Sequence, residues 1–137
     1  MDDSRPDAPQ PPLASASASV PAGTGLPTGT GLWATVDALC AWLDADQPVR
    51  GREAVLLRVL KLSEEVGEAA QAVIGATGQN PRKGTSHTWQ DVESELCDVV
   101  ITALVALRTL TPDAREVFAR HLSRVAERSL GTVAPGG

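Results

Sequence analysis

The chain has 137 residues, enough for one domain, and 42% of them are hydrophobic but only 3% aromatic. This composition favours helices over sheets, because strands draw on aromatic and β-branched side chains. The formal net charge of −5 argues against a nucleic-acid-binding protein, since Lys and Arg must replace the counterions of a phosphate backbone.

The first thirty residues differ from the rest in composition. Residues 1–30 are rich in Pro, Ala, Ser, Gly and Thr, and residues 131–137 are similar. Such segments cannot bury enough apolar surface to fold, so both are predicted to be disordered tails around a helical domain at 31–130. The start does not resemble a secretory signal and no apolar run is long enough for a bilayer. A cytoplasmic protein without membrane contact is therefore expected.

The spacing of apolar residues predicts four helices in the folded part. Their expected bounds are 32–44, 53–74, 89–110 and 111–130. Thr88 and Asp91 have the spacing of a capping box before the third helix. The sequence Thr111-Pro112-Asp113 is typical of a helix start. Four helices in so short a chain predict an all-α, bundle-type fold.

Two expectations concern which helix faces are buried. On the second helix, the main apolar stripe is expected to face the core; it consists of Val55, Val59, Leu62, Val66, Ala69 and Val73. The glutamate face on the opposite side carries Leu57 and Leu60 in the sector of Glu64, so it is expected to be covered at least in part. The third helix is apolar nearly all round between residues 96 and 107, which predicts burial on nearly every side, including Asp98. Cys40 and Cys97 are both expected to be buried thiols.

Two pairs of acidic residues are the candidates for chemistry. Glu65 and Glu68 lie about 60° apart on one face of the second helix. Glu95 and Asp98 lie one turn apart on the third, where Asp98 is the only charge in an apolar run. An isolated buried carboxylate is costly, and a cation shared with a second carboxylate removes that cost.

Antiparallel packing of the two helices would bring the two pairs to the same height. Four carboxylates without a suitably spaced His form an all-oxygen ligand set, which selects Mg²⁺, with Mn²⁺ as a substitute. The simpler alternative is that Glu64, Glu65 and Glu68 form a solvated helix face, with Arg58 and Lys61 of the same helix as possible partners.

The pattern E-E-x-x-E followed by E-x-x-D resembles the MazG-like nucleotide pyrophosphohydrolases of the all-α NTP pyrophosphatase superfamily. The resemblance covers about residues 32–130, and its motifs are Glu64-Glu65-Val66-Gly67-Glu68 and Glu95-Leu96-Cys97-Asp98. It implies a MazG-like fold, a homodimer or homotetramer, and Mg²⁺-dependent hydrolysis of a nucleoside triphosphate to the monophosphate and pyrophosphate.

The same resemblance implies a role for each acid. Glu65, Glu68, Glu95 and Asp98 would be the metal ligands. Glu64 would help to hold a second ion or position the attacking water, which makes Glu64 and Glu65 the candidate catalytic pair.

Four further residues are candidates for substrate binding. Lys61 shares the glutamate face, and Arg82 and Lys83 lie in the connection between the two motif helices, where they could contact phosphates or simply be solvated. Trp89 could stack on a base or anchor the core.

Two alternatives to the enzyme remain open. The first is a catalytically inactive, metal-stabilised helical interaction module. The second is a DNA-binding helical protein, which the net charge and the lack of a strongly basic helix disfavour.

Overall fold

The computed structural model describes residues 31–131, so the expectations for residues 1–30 and for nearly all of the 131–137 tail fall outside it. Four helices make up the described part: α1 (Leu32–Asp46), α2 (Gly51–Ala76), α3 (Trp89–Leu110) and α4 (Ala114–Leu130). Between residues 31 and 131 there is no strand. The all-α prediction is confirmed.

The start of α3 is built as the sequence predicts. The Thr88 hydroxyl accepts a hydrogen bond from the Asp91 backbone N–H, and the Asp91 carboxylate accepts one from the Thr88 backbone N–H. These reciprocal bonds satisfy two donors that the first helical turn leaves free. The fourth helix begins later than predicted, at Ala114, although the Thr111 hydroxyl accepts a hydrogen bond from the Asp113 backbone N–H at 3.2 Å. The Thr111 backbone N–H donates to the Leu107 carbonyl and ends α3.

The most extensive helix contact joins α2 and α3 as an antiparallel hairpin. Its direction follows from three contacts along its length. Ala76 clusters with Val92 near the connection. Glu65 approaches Asp98 further along, and the Arg58 guanidinium donates to Thr109 toward the open end.

The hydrophobic core is divided into two clusters. Ala72, Ala76 and Val92 are buried between α2 and α3. The second cluster joins α1 to α3 and consists of Val36, Cys40, Leu104 and Val105, with Trp33, Leu39 and Leu43 packed on it. The α4 helix contacts mainly α3, and the Phe118 ring meets Trp33 edge-on at a centroid distance of 6.1 Å.

The apolar stripe is not the most buried face of α2, so that part of the prediction is wrong. The expectation that the glutamate face is covered at least in part is confirmed by the burial of Glu65. Val59 and Val66 of the apolar stripe are 49% and 52% exposed, whereas Arg58 and Glu65 are each 8% exposed. The buried face of α2 is therefore the one that carries Glu65. Small residues on that face, among them Ala72, let the α3 backbone approach closely, and this outweighs the larger apolar area of the valines.

The prediction that α3 is buried on nearly every side is also wrong for the single chain. Leu96 and Val100 are more than half exposed, and Asp98 and Cys97 are exposed as well. Of the two cysteines that were expected to be buried, only Cys40 is. Its burial raises the pKa of its thiol. Three neighbouring helices, one of them sparsely packed, do not cover the whole circumference of α3.

None of the four described helices combines the length and the apolar character that crossing a bilayer requires.

Candidate metal centre

Three of the four predicted ligands converge between α2 and α3. One carboxylate oxygen from each of Glu65, Glu95 and Asp98 lies within 4.8 Å of the other two. Glu65 comes from α2, while Glu95 and Asp98 lie one turn apart on the facing side of α3. We call these three residues the carboxylate trio. Glu65 is buried, Glu95 half-buried and Asp98 exposed, so the trio opens to solvent on one side.

The hairpin brings the trio together because both helices have defined ends near the connection. Helix rise places Glu65 about 16 Å from the end of α2 and Glu95 about 9 Å from the start of α3. The segment of α2 beyond Glu65 is thus longer than the segment of α3 before Glu95. Residues 77–88 accommodate this difference in length by folding back over the end of α2, where the Ser86 N–H donates to the Gly75 carbonyl at 3.1 Å.

Glu68, the fourth predicted ligand, lies beside the trio rather than within it. Partial desolvation, followed by the negative charge of Glu65 and then that of Glu95, raises the pKa of Glu68. The Glu68 carboxylate is therefore close enough to Glu65 and Glu95 for their charges to affect its pKa. Glu68 is not part of the group whose carboxylate oxygens lie within 4.8 Å of one another, which consists of Glu65, Glu95 and Asp98.

Lys61 bridges the two adjacent glutamates of α2. Its Nζ lies 2.9 Å from Oε2 of Glu64 and 2.8 Å from Oε1 of Glu65. Hydrogen bonds to Glu65 and then to Glu64 raise the pKa of Lys61 above its ordinary value, so the ammonium is charged. Of the two partners suggested for a solvated glutamate face, Lys61 takes that role and Arg58 does not.

The trio offers the oxygen ligands that a small divalent cation prefers. Mg²⁺ takes oxygen ligands at 2.0–2.1 Å in an octahedron, which puts adjacent ligand atoms about 3.0 Å apart and opposite ones about 4.2 Å apart. The oxygens of the trio lie within 4.8 Å of one another, so the carboxylates would close around such an ion by side-chain movement. The half-buried Glu95 and buried Glu65 also repel each other, and a cation would relieve that repulsion.

The other predicted substrate contacts are not gathered at the trio. Arg82 and Lys83 are exposed in the connection, where their backbone N–H groups bond to Asn80. Trp89 is half-buried and packs against the cluster of Ala72, Ala76 and Val92, which agrees with the core-anchor alternative. Lys61 alone touches a member of the trio.

Arg58 is the buried polar residue whose role the sequence analysis missed. Its guanidinium donates to Oδ1 of Asp44 at 2.7 Å and to the Thr109 hydroxyl at 2.6 Å, while its Nε is buried and has no partner within the described part of the chain. Arg58 lies two helical turns before Glu65 on the same face. That spacing is the sequence signal that places Arg58 on the covered face together with Glu65.

A groove of about 450 Å³ lies next to the trio, between α1, α2 and α3. Arg58 and Lys61 contribute its charged groups, and Leu39, Trp42, Leu57 and Ile101 are among its apolar ones. Its volume is in the range of small-molecule sites, which are mostly apolar with a few polar groups that orient the ligand. Lys61 belongs to both the groove and the ion pair with Glu65, so the groove and the trio are adjacent.

No family model, no characterised protein and no solved structure gives a significant match to this chain.

Proposed function

We propose that the protein is a Mg²⁺-dependent nucleoside triphosphate pyrophosphohydrolase of the MazG-like type, acting on the nucleotide pool. The observation that supports this most directly is the convergence of Glu65, Glu95 and Asp98 from two helices within 4.8 Å. The order of the acids along the chain, which resembles the MazG-like motifs, selects a triphosphate substrate from among the anions that such a metal would bind.

Each acidic residue has a role in this proposal. Glu65, Glu95 and Asp98 would hold the ion, with Glu68 beside them as a fourth ligand. A Mg²⁺ ion there would supply charge neutralisation for the triphosphate and a bound water of lowered pKa. Glu64, which is largely exposed beside Glu65, positions that water or a second ion. Phosphoryl transfer asks the protein mainly for such positioning and charge neutralisation.

The reaction is hydrolysis of the bond between the α- and β-phosphates. A water oxygen forms the new bond to the α-phosphorus, and the bridging oxygen leaves with pyrophosphate. The nucleoside monophosphate keeps the attacked phosphorus. This regiochemistry comes from the resemblance, while the groove beside Lys61 offers the nucleoside an apolar site next to the phosphates.

The proposed enzyme is a homodimer or homotetramer. The apolar residues that α2 and α3 leave exposed support assembly, among them Val59, Val66, Leu96 and Val100. So many exposed apolar side chains on a small domain favour a subunit interface. Light scattering at micromolar concentration is expected to show at least a dimer, and a monomer would contradict the assembly.

Pyrophosphate release from a panel of nucleoside triphosphates, with Mg²⁺ and with EDTA, tests the activity. Glu68→Gln and Asp98→Asn are each expected to abolish turnover while the far-ultraviolet circular dichroism stays unchanged, because each removes one charge and keeps the size. Glu64→Gln should weaken metal binding less. Glu116→Gln, an exposed acid on α4, is the control. Orthophosphate and a nucleoside diphosphate as products would contradict the family assignment.

One observation favours the second candidate, an inactive helical interaction module. Lys61 already supplies a counter-charge to buried Glu65, so part of the acidic cluster is neutralised without a metal. Binding of Mn²⁺ in calorimetry, with no turnover of any triphosphate, would select this module. Full activity of Asp98→Asn would rule out the metal site in both candidates.

A further inference from the structure

The side chain of Glu65 takes part in two arrangements at once. One of its carboxylate oxygens lies within 4.8 Å of oxygens of Glu95 and Asp98, and its Oε1 lies 2.8 Å from the ammonium of Lys61. Glu65 is 8% exposed, and Lys61 is its only salt-bridge partner within residues 31–131. The cation that neutralises this buried carboxylate is therefore a side chain of the same helix.

We propose that Lys61 is a built-in counter-ion which holds Glu65 in the metal-free protein and which a divalent cation displaces when it binds the trio. The inference rests on the proposed metal site. In this proposal the divalent ion and the Lys61 ammonium compete for the Glu65 carboxylate. The ion must displace the ammonium before Glu65 can become a ligand. Lys61 is thus a positioning residue that sets metal affinity.

Electrostatics favours the displacement. A divalent ion lies about 2.1 Å from a ligand oxygen. If it shared Oε1 with Lys61, the ammonium and the ion would be no more than about 5 Å apart. Two cations that close repel each other, and solvent on the exposed side of the trio weakens this repulsion only in part. The Lys61 side chain has an alternative position, since it is half-exposed and borders the groove.

Glu64 makes the arrangement reversible. The same ammonium lies 2.9 Å from the Glu64 carboxylate, which is largely exposed and outside the trio. Lys61 can therefore leave Glu65 and keep one ion pair. When the metal dissociates, a short movement of the ammonium restores the contact with Glu65. Buried Glu65 is in this way never left without a cation.

Calorimetric titration of the full chain with Mn²⁺ alone tests the proposal. Lys61→Met removes the competing ammonium and is expected to tighten Mn²⁺ binding about fivefold, the upper end of the effect of a half-exposed ion pair. Lys61→Arg restores a cation and should bind Mn²⁺ within twofold of the wild type. Arg52→Met removes the same charge from an exposed position at the start of α2 and serves as the control for long-range charge.

Thermal melts give a second readout, the stability of the metal-free protein, which a measurement of metal affinity does not provide. In EDTA, Lys61→Met should melt at a lower temperature than the wild type, because Glu65 loses its partner. Saturating Mn²⁺ should raise the melting midpoint of Lys61→Met by more than it raises that of the wild type. If Lys61→Met does not fold in EDTA, Lys61→Gln keeps a hydrogen-bond donor without the charge and is titrated instead. Unchanged or weaker Mn²⁺ binding in the variant that folds would overturn the displacement while leaving the metal site intact. Absence of Mn²⁺ binding in the wild type would overturn the metal site itself.

Discussion

The Arg58 guanidinium lies 2.7 Å from Oδ1 of Asp44, and this ion pair joins α1 to α2 at the end of the hairpin remote from its connection. The same guanidinium donates to the Thr109 hydroxyl, which in turn donates to the Val105 carbonyl at 2.8 Å. Three helices therefore meet at one buried arginine, on the same face of α2 that carries Glu65.

Loss of the acid in this pair should destabilise the fold more than loss of the base. Among the described residues, Asp44→Ala leaves the buried guanidinium with only Thr109 as a partner. We expect the free energy of unfolding to fall by about 1–2 kcal/mol. This is less than for a fully buried pair, because the Asp44 side chain is 58% exposed. Arg58→Met replaces the charge with an apolar chain of similar length and should cost less. Urea denaturation measures both, with the exposed Asp46→Ala as control. A larger loss for Arg58→Met would contradict the argument.

Gly75 is expected to tolerate no side chain. A Cβ at this position would lie 2.6 Å from the Ser86 hydroxyl and would also collide with the His87 ring. Gly75→Ala must displace the side chains of Ser86 and His87 and should cost about 1–3 kcal/mol. The matched control is Gly67→Ala in the same helix, where the added methyl meets open space. It should stabilise the protein by about 0.5–1 kcal/mol through helix propensity. Equal effects of the two substitutions in chemical denaturation would disprove the close approach.

The capping box at the start of α3 predicts an acid-sensitive contribution to stability. The backbone N–H of Thr88, and then its side chain, hold the pKa of Asp91 below its ordinary value of 3.8. A depressed folded-state pKa means that the stabilisation is complete above the ordinary value and is lost as pH falls through the folded-state pKa. Asp91→Ala should therefore reduce stability at pH 7, and the difference from the wild type should shrink below about pH 4.

Unfolding midpoints measured between pH 2 and pH 7 check this dependence. Glu93→Ala, an exposed acid in the same part of α3, is the control and should show no such convergence. A difference between the wild type and Asp91→Ala that stays constant down to pH 2 would mean that the carboxylate does not cap the helix.

Metal binding is expected to raise the thermal stability of the wild type. A ligand that binds only the folded state adds about 2.7 kcal/mol at a hundredfold excess over its Kd. For a folded part of this size that corresponds to a rise in Tm of about 10–20 °C. Melts in EDTA and in millimolar Mg²⁺ measure the shift, and Asp98→Asn should reduce it. Superimposable melts for the wild type would argue against the site.

Sequence periodicity predicted the helices well, and spacing alone found the acids that converge. Helix ends such as Thr88 are defined by local chemistry, which a sequence displays directly. Glu65, Glu95 and Asp98 could be paired because an antiparallel hairpin leaves few ways to align two helices of this length.

The burial of α2 could not be predicted from hydrophobicity, because the helix has two candidate faces. Val59 and Val66 make the more apolar one, yet Arg58 and Glu65 are on the buried one. Close approach through small residues and the partners that α1 and α3 offer decide the choice, and both depend on tertiary structure. For the same reason the sequence offered Arg58 only as a possible partner of the glutamates, whereas its guanidinium donates to Asp44 and Thr109.

The acids of the candidate centre all belong to a single hairpin, α2 and α3, joined by residues 77–88. Contacts between neighbouring segments form with little loss of chain entropy and are typical of fast folding steps. We therefore expect the hairpin to form before α1 and α4 dock. A divalent ion available at that moment would bind the nascent hairpin and accelerate folding, so the refolding rate, and not only the equilibrium, should depend on metal concentration.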